Sequence, residues 1–241
     1  LVPQLVQYGY RVVVPAMRGY APSSVSHSGD YHVSALARDA NDLHEHLGGD
    51  ERAVLIGHDW GAAATYVATN AQPARWRRAV TIAIPPLAVF AETLTHFEQL
   101  RASWYMFFFQ NDLAEPVVGL DDLAFLGDLW RAWSPLYEPA EDLVVLRAAL
   151  ASQENLHAAL EYYRAIFSPR LIEPRLPDVA SVATLYLHGA NDGCFLASGL
   201  GRVLDFLAAN SRFTLVEDAG HFVHLEQPTA VHRAVGDFLA D

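Results

Sequence analysis

The 241-residue chain is 52% apolar, carries a formal net charge of −12 and contains one cysteine, Cys194. That composition predicts a sizeable buried core and excludes disorder. The acidic balance excludes a basic face for nucleic acid, and a lone cysteine excludes an internal disulfide and fits a reducing cytoplasm. No apolar run reaches the roughly 18 residues that a membrane-spanning helix needs, so a cytoplasmic protein without membrane attachment is expected.

In chain order, short β-branched runs ended by turn residues read as buried parallel strands: Arg11–Pro15, Ala53–Ile56, Ala79–Ala83, Thr184–Leu187 and Phe213–Val216. Between the first two, Val33, Leu36, Ala37, Ala40, Leu43 and Leu47 recur at three- and four-residue steps. They predict a helix that Gly48-Gly49 stops. Val231 to Leu239 closes the chain with a second such pattern. Strand–helix alternation implies an α/β architecture, a mostly parallel sheet flanked by helices. From Pro85-Pro86 to about Pro177 the rhythm changes to aromatic-rich helical patterns containing Trp104, Trp130 and Trp133. Residues 87–177 therefore read as a helical cap inserted into a core formed by 1–86 and 178–241.

The strongest local signal is Gly57-His58-Asp59-Trp60-Gly61-Ala62, directly after the strand ending at Ile56. Small residues two before and two after Asp59 permit a sharp strand-to-helix turn that holds its side chain exposed. A carboxylate at such a turn attacks an electrophilic carbon to give an ester, whose carbonyl water can then attack; a serine would leave an inert ether. A water-activating base should follow the last strand, and His221 in Asp218-Ala219-Gly220-His221-Phe222 supplies it. His58 and His224 compete for that role but read as structural histidines. Asp192, in His188-Gly-Ala-Asn-Asp192-Gly193, fits the carboxylate that orients the base, whereas Asp218 reads as a turn residue.

These motifs, together with Gly9-Tyr-Arg-Val-Val-Val-Pro15 and Arg18-Gly19-Tyr20, resemble the α/β-hydrolase-fold epoxide hydrolases along essentially the whole chain. The resemblance implies an α/β-hydrolase fold with a cap, an aspartate nucleophile and no metal or other cofactor. It also implies two cap tyrosines that donate hydrogen bonds to the epoxide oxygen. Trp104-Tyr105-Met-Phe-Phe-Phe-Gln110 matches the first such segment, through Tyr105. Leu160-Glu-Tyr-Tyr163-Arg164 matches the second, through Tyr163 or the adjacent Tyr162. Phenol donors suit an oxygen that develops negative charge. The Trp60 backbone N–H is the expected oxyanion donor. Phe107, Phe108, Phe109, Trp130 and Trp133 are expected to line an apolar substrate site, so the expected partners are a small apolar epoxide and water, with a homo-oligomer open.

Two departures stand out: Ala16 where many relatives have aspartate, and Ala21 where glycine is frequent. The family's His-Gly-x-Pro oxyanion segment and first strands are expected ahead of Leu1, one of those strands lying between Arg11–Pro15 and Ala53–Ile56. Two rival readings remain, a haloalkane dehalogenase using the same aspartate and a binding protein without turnover.

Overall fold

The computed structural model of the chain describes residues 1–167 and 179–241. In chain order the elements that matter here begin with α1 (Val33–His46), β1 (Val54–His58), α2 (Trp60–Ala71) and β2 (Arg78–Ile82). They continue with α3 (Trp104–Phe108), α4 (Ala124–Trp133), α5 (Gln153–Ile166), β3 (Thr184–Gly189), β4 (Arg212–Val216) and α6 (Pro228–Ala240).

The four strands form one parallel sheet in the order β1-β2-β3-β4. Their β-branched, apolar sequences suit burial on both faces, and β3 is buried at all six positions. Alternation along β2 assigns the layers. Val80 and Ile82 join Leu185, Leu187, Val231, Val235 and Phe238 in a core under α6, while Thr81 faces α2, its hydroxyl 2.7 Å from that of Tyr66. On the α2 side, Val67 and Ala68 pack on Ala37 of α1. Fully burying each aliphatic side chain of these layers contributes about 1.5–3 kcal/mol.

Local sequence explains the helix ends. His32 caps α1, its ring nitrogen accepting from the Ser34 N–H, and Gly48 follows the helix at φ +65°. The last helix starts at Pro228 rather than Val231, because proline at the first helical position loses no intrahelical hydrogen bond.

Arg11–Pro15 departs from expectation: it is not part of the sheet. A strand exists through its ladder, and among the described residues nothing pairs with this segment. Val13 and Val14 are 49% and 73% exposed. Between the segment and β1 runs a trough of about 960 Å³, lined by Val12, Val14, Leu36, Leu55, Ile56 and Gly61 among others.

Between Leu87 and Ile166 every regular element is helical. The expected division at 177–178 lies outside the described residues. This helical block meets the carboxyl ends of the strands. The Trp133 carbonyl at the end of α4 accepts from the N–H groups of Gly193, beyond β3, and His221, beyond β4. No helix among the described residues is long and apolar enough to cross a membrane.

Candidate active site

Asp59 sits between β1 and α2 with φ +52° and ψ −118°, a backbone region that disfavours any side chain. Its N–H bonds the Ile82 carbonyl, and its own carbonyl accepts from Ala62 and Ala63 at the start of α2. The flanking glycines are unequal. A Cβ on Gly57 would lie 2.0 Å from the Gly61 carbonyl oxygen, so that position admits only glycine. A Cβ on Gly61 would meet nothing within 4 Å, so the small residue there is not a requirement of the turn.

The turn aims the half-exposed Asp59 carboxylate at a buried imidazole: Oδ2 lies 3.5 Å from His221 Nε2. On the other side of that ring, Nδ1 lies 3.0 Å from Asp192 Oδ2. Asp192 is itself fixed, because Oδ1 accepts from the N–H groups of Cys194 at 2.7 Å and Phe195 at 3.0 Å. Burial opposes charge on the His221 ring, but the Asp192 and Asp59 carboxylates on either side of it outweigh that and raise its pKa well above the ordinary imidazole value.

The His221 loop is pinned from both chain directions. Gly220 and Phe222 donate their N–H groups to the Glu226 carboxylate, which also accepts from Ser134 of the helical block. The His58 Nε2 lies 3.0 Å from the His221 carbonyl oxygen, so His58 holds backbone and does not face Asp59 in a reactive pose. Burial lowers its pKa well below the ordinary value, and burial likewise lowers His224 to about 4. Both rings are therefore neutral at physiological pH.

Across from the carboxylate lie three phenols. The rings of Tyr105 on α3 and Tyr163 on α5 meet edge to face at 5.6 Å. The adjacent Tyr162 is turned away, its hydroxyl donating to the Arg18 carbonyl at 2.6 Å. This separates two neighbours that the sequence leaves ambiguous. Burial raises the pKa of Tyr105 and Tyr163 well above the usual phenol value, and the Asp59 charge adds to it in both. Each therefore keeps its proton at neutral pH. Tyr20, not singled out as a site residue from sequence, is the third: burial and then Asp59 raise its pKa also. Its loop is tied down by Arg18, which grips both carboxylate oxygens of Asp39 and the Asp30 carbonyl.

The aromatic residues expected to line the site divide. Phe109 packs on Tyr105 and Tyr163, and Trp133 on Tyr105 and His221. Phe108 packs on Phe109 and on Trp104 and Phe125, and Trp130 stacks on Phe222 at 3.8 Å. Phe107 is 45% exposed and packs on Phe167, because it lies half a turn round α3 from the buried Tyr105. Trp60 opens α2, so its N–H has no carbonyl one helical turn earlier, and its ring packs edge-on against Tyr162 and Tyr163.

Cys194 is the other site residue that local sequence reasoning does not assign. Its buried Sγ lies 3.2 Å from the Tyr105 hydroxyl, and Sγ, a His221 ring nitrogen and an Asp192 carboxylate oxygen lie within 4.8 Å of one another. These atom types could ligate a soft metal ion, but Asp192 already accepts from Cys194, Phe195 and His221.

With this geometry in view, the comparisons with known proteins are consistent. A family model described as the alpha/beta hydrolase fold matches residues 1–228. Among curated proteins, human epoxide hydrolase 4 is 29% identical over 96% of this chain, and Caenorhabditis elegans epoxide hydrolase 1 is 29% identical over 95%. The chain spans 66% and 58% of the lengths of those two relatives. A solved epoxide hydrolase from hot-environment metagenomes is 27% identical with a TM-score of 0.81, covering 98% of this chain and 85% of that one. A mutant epoxide hydrolase from Bacillus megaterium, 22% identical with a TM-score of 0.75 and covering 93% and 82% of the two chains, shares the fold. The parallel sheet, the strand-to-helix turn at Asp59 and the match over residues 1–228 lead to one conclusion: the chain belongs to the alpha/beta hydrolase fold family.

Proposed function

We propose that this chain carries the active site of an epoxide hydrolase that converts an apolar epoxide to a vicinal diol through a covalent ester on Asp59. The observation that carries the reading is the approach of the Asp59 carboxylate to His221 Nε2 at 3.5 Å, with Asp192 behind the imidazole and two protonated phenols opposite. The names of the relatives support the same reaction class.

In the first step Asp59 attacks an epoxide carbon while Tyr105 and Tyr163 donate to the opening oxygen. In the free enzyme the Asp59 charge helps to keep His221 protonated. Esterification removes that charge, so the imidazole pKa falls and His221 becomes a base at the moment one is needed. Neutral His221, oriented by Asp192, then takes a proton from water, and the hydroxide attacks the Asp59 ester carbonyl. The Trp60 N–H would be one donor to the resulting oxyanion. The diol leaves, and Asp59 is again a carboxylate beside a protonated His221. Phe109 and Trp133 would give the epoxide its apolar contacts. Residues 87–166, with Tyr105 and Tyr163 among them, would act as the cap.

The test is a His221→Gln variant incubated with a small aryl epoxide and, separately, with a haloalkane, followed by intact mass and peptide mapping. A stable gain equal to the whole epoxide, located on Asp59, is expected. An adduct from the haloalkane alone would make the reaction a dehalogenation. No adduct from either, in folded protein, would sink the covalent mechanism.

A further inference from the structure

We propose that the Cys194 thiol relays a proton between His221 and Tyr105, linking the two ends of the reaction. The inference rests on the epoxide-hydrolysis reading above. In that mechanism Tyr105 gives up a proton to the opening epoxide oxygen, while His221 must lose one to become a base. Neither the phenol nor the imidazole is well placed to exchange with solvent, because Tyr105 is 3% and His221 1% exposed.

Cys194 stands between them. Its Sγ is 3.2 Å from the Tyr105 hydroxyl, within hydrogen-bond reach for sulfur, and no more than 4.8 Å from a ring nitrogen of His221. The residue is held on both sides of its thiol. Its N–H donates to Asp192 Oδ1, and its carbonyl accepts from the Gln99 side chain at 2.9 Å. Gln99 in turn accepts from the Leu196 N–H. Burial raises the thiol pKa, so the group is S–H, able to donate one proton while receiving another.

The step balances. As the C–O bond of the epoxide breaks and the Asp59 C–O bond forms, the Tyr105 proton moves to the epoxide oxygen. The Cys194 proton moves to the Tyr105 oxygen, and the His221 proton moves to Sγ. The products are the hydroxy ester, intact phenol, intact thiol and a neutral imidazole. Water then reprotonates His221 during ester hydrolysis, so the cycle consumes no external proton.

The experiment compares Cys194→Val and Cys194→Ala, which cannot relay, with Cys194→Ser, which can. Ester build-up on Asp59 is measured in single turnovers with styrene oxide by rapid quench and intact mass, at several concentrations of imidazolium buffer. Both apolar variants are expected to slow ester formation roughly 10- to 100-fold at low buffer, with recovery as the small acid is added, little change in KM, and near-normal rates in Cys194→Ser. If Cys194→Val fails to fold, Cys194→Ala carries the same comparison. Equal rates in wild type and the apolar variants would overturn the relay alone. So would an equal, buffer-independent loss in the serine and apolar variants, which marks a packing role. Failure of the wild-type enzyme to form any Asp59 ester would overturn both the relay and the reading on which it rests.

Discussion

Asp59 shows what the site costs the fold at a single residue. Its positive φ with ψ near −118° stores about 1–3 kcal/mol of backbone strain, held in place by the ladder bond to Ile82 and the first turn of α2. Asp59→Gly should relieve that strain, whereas Asp59→Asn keeps it; both remove the charge. The glycine variant is therefore expected to exceed the asparagine variant by about 1–2 kcal/mol in urea unfolding, and equal midpoints would show that the turn is unstrained. His221 makes a second residue-scale prediction. Its folded pKa is raised above the reference value of 6.5, so the stability it contributes is fully present below that pH. That stability is lost as pH rises through the folded value. Wild type should exceed His221→Gln most below pH 6.5, and the gap should narrow on going alkaline. A gap that widens with pH would reverse the sign assigned here.

At the scale of elements, the loops after β3 and β4 are suspended from the end of α4. Gly193 and His221 both donate to the Trp133 carbonyl, and Cβ atoms on Gly193 and Gly220 would collide with the Ala132 oxygen and with Ser134. Glu226 completes the suspension by accepting from Gly220, Phe222 and Ser134. Glu226→Ala should strand the Gly220 N–H, while Phe222 keeps the Ser134 hydroxyl as acceptor, and cost about 1–3 kcal/mol. Because the freed loop carries His221, the proposed mechanism predicts that ester hydrolysis slows more than ester formation, a split that rapid-quench kinetics resolves. Glu226→Gln keeps the acceptor oxygen and should lose less; equal losses in both would mean that charge rather than hydrogen bonding matters.

The same elements explain what the sequence made legible. Asp59, Asp192 and His221 each follow a strand of one parallel sheet, so strand patterns and turn residues suffice to predict that they converge. Tyr162 and Tyr163 could not be separated that way, since adjacent residues on a helix differ only in the face presented, and tertiary packing chooses that face. Tyr20 falls in the Arg18-Gly19-Tyr20 motif without a role assigned to it, and Cys194 carries no local pattern at all. One sits on a loop positioned by Arg18 and Asp39, the other reaches the site because Asp192 and Gln99 fix its backbone. An aromatic run on a helix includes residues of both faces, so the run alone does not tell Phe107, packed on Phe167, from Phe109, packed on Tyr105.

Among the described residues the sheet has two unlike edges, β1 beside the trough and β4 away from it. β2 and β3 have a neighbour on each side, whereas β1 faces β2 on one side and the trough on the other. Arg11–Pro15 has the apolar, β-branched sequence of an interior strand, yet it has no ladder among the described residues and leaves Val13 and Val14 exposed. Pattern predicts the residues that suit a strand, but a ladder needs a neighbour at about 4.7–4.9 Å, and no one-segment pattern contains that neighbour. Protection against hydrogen exchange should map this asymmetry. Amides of β2 and β3 are expected to exchange slowest, while those of Val12 to Val14 exchange fastest among the strand-like segments. β1 should divide, its amides bonded to β2 being protected and those facing the trough open. Uniform protection along β1 and Val12–Val14 would mean that their backbone groups are paired in solution.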